Sequence, residues 1–131
     1  MRKRRKSLTY KEIRKNKEVL AYLKKGNDNL GVLGFTDHSE VHCTVVAERA
    51  GMIMKKLGYS DQDVEVAKIA GFMHDIGNAV NRKNHGEYGA LLADRILEKT
   101  DLRWRIVSLS YQRSERMMNP RVVQKMRFLQ H

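Results

Sequence analysis

An almost continuous apolar segment, residues 64–73, runs directly into His-Asp-Ile-Gly at positions 74–77. Its apolar residues cover most sides of a helix, a pattern typical of a helix buried at the centre of a helical protein. A cap at Ser60 opens this helix, and the glycine after the His-Asp pair ends it. Histidine and aspartate are both metal ligands and both proton-transfer groups. At the end of a buried helix, His74 and Asp75 therefore predict half of a metal site.

Capping and stop signals divide the rest of the chain into further helical segments. A capping box at Thr9 opens a first helix that we expect Gly26 to end, and residues 26–34 are predicted to be a loop. No stretch shows the alternation of a strand with hairpin signals. The sequence thus predicts an all-α fold, a bundle of about five to six helices. Its other helices are a second from about Asp37 to Leu57, a fourth after the polar loop 78–84, a short one at 106–111 and a last one from Asn119.

Two of these helices have an apolar face that we expect to be buried. In the second helix, the residues predicted to face the core are Val41, Val45, Val46, Ala50, Ile53, Met54 and Leu57. In the fourth helix, they are Tyr88, Leu91, Leu92, Ile96 and Leu97. Because the third helix is apolar on most sides, we expect it to pack on the second.

The composition favours a single globular domain. A length of 131 residues is typical of one domain. The sequence contains no apolar run near the ~20 residues that a membrane-spanning helix needs, and no apolar segment follows the basic N-terminus as in a secretory signal. Cys43 is the single cysteine, so no internal disulfide can form. We therefore expect a cytoplasmic protein with no membrane association.

The net charge of +11 is concentrated at the two ends of the chain. Residues 1–25 contain eleven Lys and Arg against two Glu, and residues 102–131 contain seven against one. Residues 26–101 contain twelve acidic and eight basic residues. Basic ends attract nucleic acid or phosphorylated ligands, although a run such as residues 2–6 is more typical of a solvated, disordered tail. Nucleic acid stays open as a partner, and so does a homo-oligomer.

His42 is the best candidate for the other half of the metal site. It lies in phase with Val45 and Ile53 of the second helix, where a lone histidine is usually a hydrogen-bonded core residue. Packing of the second helix on the third would bring it to His74 and Asp75. Two imidazoles and one carboxylate suit Mn²⁺, Fe²⁺, Ni²⁺ or Zn²⁺. Such an ion can activate water and polarise a phosphoryl oxygen.

His38 lies four residues before His42, on the same helical face. The pair is similar to the zincin signature His-Glu-x-x-His, but Glu40 stands one position late. One residue turns a side chain by about 100° around a helix, so this glutamate is misplaced for the role of the zincin base. His38 then either borders the site or faces solvent.

A second polar group follows the His-Asp pair. His85 opens the fourth helix, and Arg82 and Lys83 precede it in the loop. Two cations and a histidine beside a metal can hold a phosphate and protonate a leaving oxygen. The alternative is a surface loop with incidental charge.

Three segments in this order resemble the HD superfamily of metal-dependent phosphohydrolases. They are residues 42–50 at the first histidine, residues 67–78 with the His-Asp pair 32 positions later, and residues 85–90. With Thr36-Asp37-His38, the resemblance covers roughly residues 35–100. It implies an all-helical HD-type fold, a divalent metal ion (Mn, Fe, Ni, Zn or Mg) and hydrolysis of phosphate esters, often of nucleotides.

The resemblance also implies roles for individual residues. The metal ligands are His42, His74 and Asp75, and Asp75 also orients the attacking water. His85 is the second catalytic residue and faces the phosphate. The phosphate-binding residues are Arg82, Lys83 and His38.

The C-terminal part departs from this family. The family closes its metal site with an aspartate on a later helix, whereas no aspartate follows Asp101 here. The fourth ligand would then come from Asp101, from water or from another chain. We interpret residues 1–8 as a basic, disordered tail and residues 9–131 as one helical HD-type domain, atypical or truncated after about residue 101. A truncated or frameshifted reading of a longer gene would produce such a C-terminus.

The expected function is divalent-metal-dependent hydrolysis of the phosphate ester of a nucleotide or of another small phosphorylated metabolite. The alternative is a catalytically degenerate HD module that binds nucleic acid or nucleotide through its basic flanks. A helical partner-binding protein with an incidental histidine cluster is the third interpretation.

Overall fold

The computed structural model describes residues 7–34 and 40–114, with side chains as far as residue 109. These two ranges contain six α-helices, one short 3-10 helix and no β-strand, which confirms the predicted all-α class. None of these helices combines the length and apolarity that crossing a bilayer requires. The last predicted helix, from Asn119, lies outside the described residues. The elements are α1 (Tyr10–Arg14), α2 (Lys17–Val32), α3 (Glu40–Lys56), α4 (Asp61–Met73), the 3-10 helix (Ile76–Ala79), α5 (His85–Ile96) and α6 (Arg103–Ser114).

The N-terminal helix predicted from Thr9 to Gly26 is two helices with different bounds. Thr9 caps α1 as predicted, but Asn16 interrupts the segment because its side chain caps α2 by accepting the N–H of Val19. Helix α2 then continues through Gly26 to Val32, so the predicted loop at 26–34 is wrong for most of its length. Gly26 does not end the helix but allows a close contact with a neighbouring segment. A Cβ at this position would lie 3.0 Å from the Cβ of Asn78.

The first described residues already belong to the packed fold. Leu8 is buried in the core, and its N–H donates a hydrogen bond of 3.1 Å to Oδ1 of Asp101. The predicted tail, residues 1–8, is therefore wrong at Leu8. An apolar side chain buried in this way is favoured over its exposure in a tail.

Helices α3 and α4 pack along a seam of small residues. A Cβ on Gly71 would lie 3.2 Å from Cα of Ala47, and Gly51 lies directly against the side chain of Lys68. The two backbones therefore approach closely, and only small side chains fit between them. The buried residues of α3 are accordingly Cys43, Ala47, Ala50 and Gly51.

This seam corrects the predicted core face of α3. Ala50 is buried as expected, but Val41 is 70% exposed, and Val45 and Leu57 are exposed as well. These three residues lie outside the seam, whose closest main-chain contact is between Gly71 and Ala47, with the side chain of Val46 at its edge. Hydrophobic periodicity located the helix correctly and misplaced its buried side by part of a turn.

Helix α4 occupies the centre, as its apolar residues predicted. It contacts α1, α3 and α6. The hydroxyl of Ser60 accepts the N–H of Asp63, which confirms the predicted cap. Phe72 packs edge-on against the ring of Tyr10, with 5.9 Å between the centroids. The C-terminal end of α4, which carries His74, is therefore anchored in the core. Its buried residues are Val66, Ala67, Ile69, Phe72 and Met73.

Helix α5 packs on the 3-10 helix and on α6 through small residues. Its buried residues are Gly89, Ala90 and Ala93, and Leu97 is buried just beyond its end. The predicted face is wrong for Leu91, which is 68% exposed. The main chain of the 3-10 helix lies so close to α5 that a Cβ on Gly77 would stand 2.6 Å from N of Gly89. Small residues therefore occupy this side of α5.

Two ion pairs attach α6 to the helices before it. Nε of Arg103 donates to Oδ1 of Asp94 at 2.7 Å, and Arg105 pairs with Asp63. The hydrogen bonds from these guanidinium groups hold the pKa of Asp94 and that of Asp63 below the ordinary value of an aspartate. The short helix predicted in this region is confirmed and begins earlier, at Arg103.

Candidate metal centre

The seam between α3 and α4 brings His42 to the end of α4. The two helices run antiparallel, so residues that precede Ala47 lie beside residues that follow Gly71. His42 and His74 meet there, with 5.4 Å between their ring centroids and 61° between their planes. His74 is the C-cap of α4, and Asp75 follows as the N-cap of the 3-10 helix.

Asp75 is the centre of the cluster, and its side chain is 5% exposed. Its Oδ2 lies 3.0 Å from Nε2 of His74 and 3.6 Å from Nε2 of His42. Its Oδ1 lies 3.8 Å from Nε2 of His85. One ligand atom from each of His42, His74 and Asp75 lies within 4.8 Å of the other two. The structure thus brings all four of these predicted site residues together.

Hydrogen bonds to main-chain carbonyl groups set the tautomers of two histidines. Nδ1 of His74 lies 2.6 Å from the carbonyl oxygen of Gly71, and Nδ1 of His85 lies 3.0 Å from that of Arg82. A carbonyl oxygen can only accept, so each Nδ1 carries the proton and each neutral ring has its lone pair on Nε2. In both rings, Nε2 is the nitrogen nearest to Asp75.

A divalent cation fits this set of donors. The lone pairs on Nε2 of His74 and Oδ2 of Asp75 repel each other at 3.0 Å unless a proton or a cation lies between them. Adjacent ligands that bind one ion at about 2.1 Å stand about 3.0 to 3.4 Å apart, close to the spacing seen around Oδ2. Two imidazoles and a carboxylate suit Mn, Fe, Ni and Zn, whereas Mg²⁺ prefers oxygen. His42 is 39% exposed, so one side of the cluster is open to solvent.

A main-chain contact at Gly77 places the first turn of α5, and with it His85, beside Asp75. A Cβ at this position would overlap with the carbonyl oxygen of His85 and lie 2.6 Å from N of Gly89. The sequence suggested that Gly77 ends a helix. The structure shows that its missing side chain makes room for the first turn of α5.

Asn84, directly before His85, has a left-handed backbone conformation with φ 60° and ψ 25°. Its side chain makes no capping hydrogen bond to α5. Asparagine and glycine adopt this conformation at lower cost than other residues. The turn that leads into His85 thus depends on the residue type at this position.

We expect Asn84→Gly to leave the free energy of unfolding within about 0.5 kcal/mol of the wild type, and Asn84→Ala to lower it by about 1 kcal/mol. A Cβ without a polar group is disfavoured at this φ, while glycine has no such penalty. Urea denaturation of both variants measures the difference. Equal losses in the two variants would show that the asparagine side chain, and not the backbone, is required.

Arg82 and Lys83 lie in the loop between the 3-10 helix and α5. The guanidinium of Arg82 is half-buried and donates to Oδ1 of Asn78 at 3.3 Å. Lys83 is exposed, and its main-chain N–H donates to Oδ1 of Asn81. Within the described ranges, no hydrogen bond or ion pair joins the Lys83 side chain to the cluster. Its role toward phosphate stays a prediction.

Two further candidates lie apart from the cluster. His38 lies outside the described residues, so its assignment to phosphate binding also stays a prediction. Asp101, considered above as a fourth metal ligand, accepts the N–H of Leu8 and is not part of the cluster. Among residues 7–34 and 40–114, one group of histidine and carboxylate side chains has metal-ligand spacing.

Sequence reasoning missed two asparagines beside the site. Asn78 is buried at 1% exposure, and Nδ2 of Asn29 donates to the carbonyl oxygens of Asn78 and Ala79 at 3.1 and 3.3 Å. The position of Asn78, directly after the His-Asp-Ile-Gly run, is a signal that could have identified it. No signal identifies Asn29, because its contact joins residues 49 positions apart and its segment was expected to be a loop.

These features define a class of protein: an all-α domain in which two neighbouring helices gather histidines around one buried aspartate. The HD domain profile matches residues 40–127, and the chain belongs to the HD domain family. This family is part of a superfamily of metal-dependent phosphohydrolases. The match begins at α3, so α1 and α2 precede it. It also continues beyond Asp101, where the sequence was expected to become atypical.

Relatives of known sequence are similar to parts of the chain. An uncharacterized protein of Methanocaldococcus jannaschii is 32% identical over 70% of this chain and 41% of its own length. Ribonuclease Y of Enterococcus faecalis is 40% identical over 45% of this chain and 11% of its own. Ribonuclease Y of Dehalococcoides mccartyi (strain CBDB1) is 42% identical over 42% of this chain and 10% of its own. The chain thus spans less than half of the first relative and about a tenth of the others. No solved structure matches significantly.

Proposed function

We propose that this protein is a divalent-metal-dependent phosphohydrolase. Its substrate is the phosphate ester of a nucleotide or of another small phosphorylated metabolite. One observation carries the proposal: both oxygens of a buried carboxylate face imidazole nitrogens. Oδ2 of Asp75 faces His42 and His74, and Oδ1 faces His85. Membership of a family that generally consists of metal-dependent hydrolases supports it.

His42, His74 and Asp75 would hold the ion. When bound, a divalent ion supplies a nucleophile from water at neutral pH and polarises a phosphoryl oxygen. Asp75 would both bind the ion and orient the attacking water, and a different oxygen can perform each role. Oδ2 faces the two other ligands, while Oδ1 faces His85 and would accept a hydrogen bond from the attacking water.

In its imidazolium form, with a proton on each ring nitrogen, His85 would supply the Nε2 proton to the leaving oxygen. Its Nδ1 is bonded to the carbonyl oxygen of Arg82, so Nε2 is the atom that exchanges a proton with the substrate. Nε2 lies 3.8 Å from Oδ1 of Asp75, whereas the other two histidines face Oδ2. Arg82 and Lys83 would add positive charge for the phosphate.

Metal analysis and a substrate panel test this proposal. Protein purified without chelator should retain a stoichiometric transition-metal ion at neutral pH. It should also release p-nitrophenol from p-nitrophenyl phosphate or bis-p-nitrophenyl phosphate, or phosphate from a nucleoside monophosphate. EDTA should remove this activity, and Mn²⁺, Fe²⁺, Ni²⁺ or Zn²⁺ should restore it. Protein that neither retains nor takes up a divalent ion would overturn the proposal.

A second candidate function is nucleic-acid binding by a catalytically degenerate HD module. Two similar proteins are named ribonucleases, and the basic ends of this chain favour a polyanionic ligand. In this case the metal site is dispensable for binding, and Lys and Arg at the ends contact the phosphates.

This alternative predicts that labelled single-stranded RNA binds at 50 mM salt and that its affinity falls at least about tenfold at 200 mM, because counterion release drives such binding. Fluorescence anisotropy measures the affinity. Binding should survive His74→Ala and weaken when the basic residues among 2–6 are replaced by alanine. Absence of binding at low salt would remove the alternative, and loss of binding in His74→Ala would assign it to the metal site.

A further inference from the structure

We infer that Asn78 is a positioning residue that holds the guanidinium of Arg82 for the substrate phosphate, and that Asn29 of α2 holds Asn78 in place. The inference rests on the proposed function, which makes Arg82 a phosphate-binding residue.

The side chain of Asn78 is oriented by Arg82. Its Oδ1 accepts the hydrogen bond from Nη1 of Arg82 at 3.3 Å. If the oxygen and nitrogen of the Asn78 amide were exchanged, Nδ2 would face Nη1 of Arg82, and both are donors. The orientation with Oδ1 toward Arg82 is therefore the one that allows a hydrogen bond. Nδ2 of Asn78 donates to no group within the described part of the chain. The hydrogen bond that Oδ1 accepts from Arg82 is thus the polar contact that the structure assigns to this buried side chain.

The main chain of Arg82 is connected to the cluster of histidines around Asp75. Its carbonyl oxygen accepts Nδ1–H of His85, and Nε2 of His85 faces Asp75. The residue is therefore held at its side chain by Asn78 and at its main chain by His85. An arginine has many rotamers in solution, and fixing one before a ligand binds removes part of the cost of binding.

Helix α2 fixes the position of Asn78. Nδ2 of Asn29 donates to the carbonyl oxygens of Asn78 and Ala79, which clamps the main chain of the 3-10 helix. On the same side, α2 approaches so closely at Gly26 that a Cβ there would lie 3.0 Å from the Cβ of Asn78. Helix α2 precedes the part of the chain that matches the family, which begins at residue 40. The N-terminal part of this chain therefore contributes to the site.

The position of Arg82 can be measured without any substrate. In ¹H–¹⁵N spectra of the arginine guanidinium groups, the Arg82 signals are assigned by their absence in Arg82→Lys. We expect a distinct set of Nη signals in the wild type and in Asn78→Asp, which keeps an oxygen in the place of Oδ1. Asn78→Leu should merge these signals with those of solvent-exposed arginines. Unchanged signals in Asn78→Leu would overturn the inference.

Phosphate binding tests the consequence for the site. The full chain is loaded with Mn²⁺ and titrated with inorganic phosphate by calorimetry. We expect Asn78→Leu and Arg82→Ala each to weaken binding by about tenfold, and the double variant to be no weaker than Arg82→Ala alone. Asn29→Ala should also weaken binding, while Asp28→Ala, an exposed neighbour on α2, should bind as the wild type does. Manganese content should stay the same in all variants.

The outcomes separate this inference from the proposed function. Additive losses in the double variant, or full binding in Asn78→Leu, would overturn the positioning role while wild-type hydrolysis continued. A wild type that takes up Mn²⁺ but hydrolyses nothing in the substrate panel would overturn the proposed function. The guanidinium spectra would then still decide whether Asn78 holds Arg82.

Discussion

Asp75→Asn is expected to abolish stable metal binding and to lower kcat/KM for phosphate-ester hydrolysis by at least about 10³-fold. The substitution keeps the size of the side chain and removes its charge. Both oxygens of Asp75 face the cluster, so a neutral amide weakens the hold on a divalent ion and removes one acceptor for the attacking water. Metal analysis after dialysis, together with steady-state kinetics, measures the two effects.

Asp61→Asn is the matched control for this prediction. Asp61 is an exposed carboxylate in the first turn of α4, at the opposite end of the helix from His74. The control should retain metal and activity. Circular dichroism should show the same helix content in both variants, because Asp75→Asn changes no packing volume. Full metal retention and activity in Asp75→Asn would contradict the assignment of the centre.

Gly77→Ala is expected to lower the free energy of unfolding by about 3 kcal/mol or to prevent folding. The new methyl group would overlap with the main-chain oxygen of His85 and approach N of Gly89 to 2.6 Å. Both neighbours are backbone atoms, so no side chain can rotate to relieve the overlap. The 3-10 helix and α5 would have to separate, which would also move His85 away from Asp75. Thermal and urea denaturation measure the loss.

Gly31→Ala is the control for a glycine that has no such contact. Gly31 lies in the last turn of α2, and a Cβ there would meet nothing within 4 Å. Alanine is the better helix former, so this variant should be more stable by about 0.5 to 1 kcal/mol. A similar small effect for both substitutions would contradict the close contact at Gly77.

The predictions from sequence succeeded where the signal was local. The apolar run 64–73 identified the central helix, and Ser60 marked its start. The helical periodicity of residues 106–111 identified α6, although its first residues were missed. Such signals depend on neighbours three or four residues apart along one helix, and these contacts form whatever the rest of the chain does.

The errors share a physical cause. Val41 and Leu91 were assigned to the core because large apolar residues define a helix face in sequence. The structure buries small residues there instead, because α3 meets α4 and α5 meets the 3-10 helix at backbone contact distance. Gly26 was assigned as a stop because glycine commonly ends a helix, whereas here it allows a close contact between two helices. Its close neighbour, Asn78, is far away in the sequence.

The sequence by itself determined the helical class, the central helix and the three residues of the candidate metal centre. His42, His74 and Asp75 could be selected from spacing and from family resemblance. Only the tertiary structure decided which atoms meet. It showed that Oδ2 of Asp75 faces His42 and His74 while Oδ1 faces His85, and that Asn29 and Asn78 connect α2 to Arg82. The reason is that helix formation depends on contacts within a turn, whereas the site depends on how closely two backbones approach. That distance is set by small residues far apart in the chain.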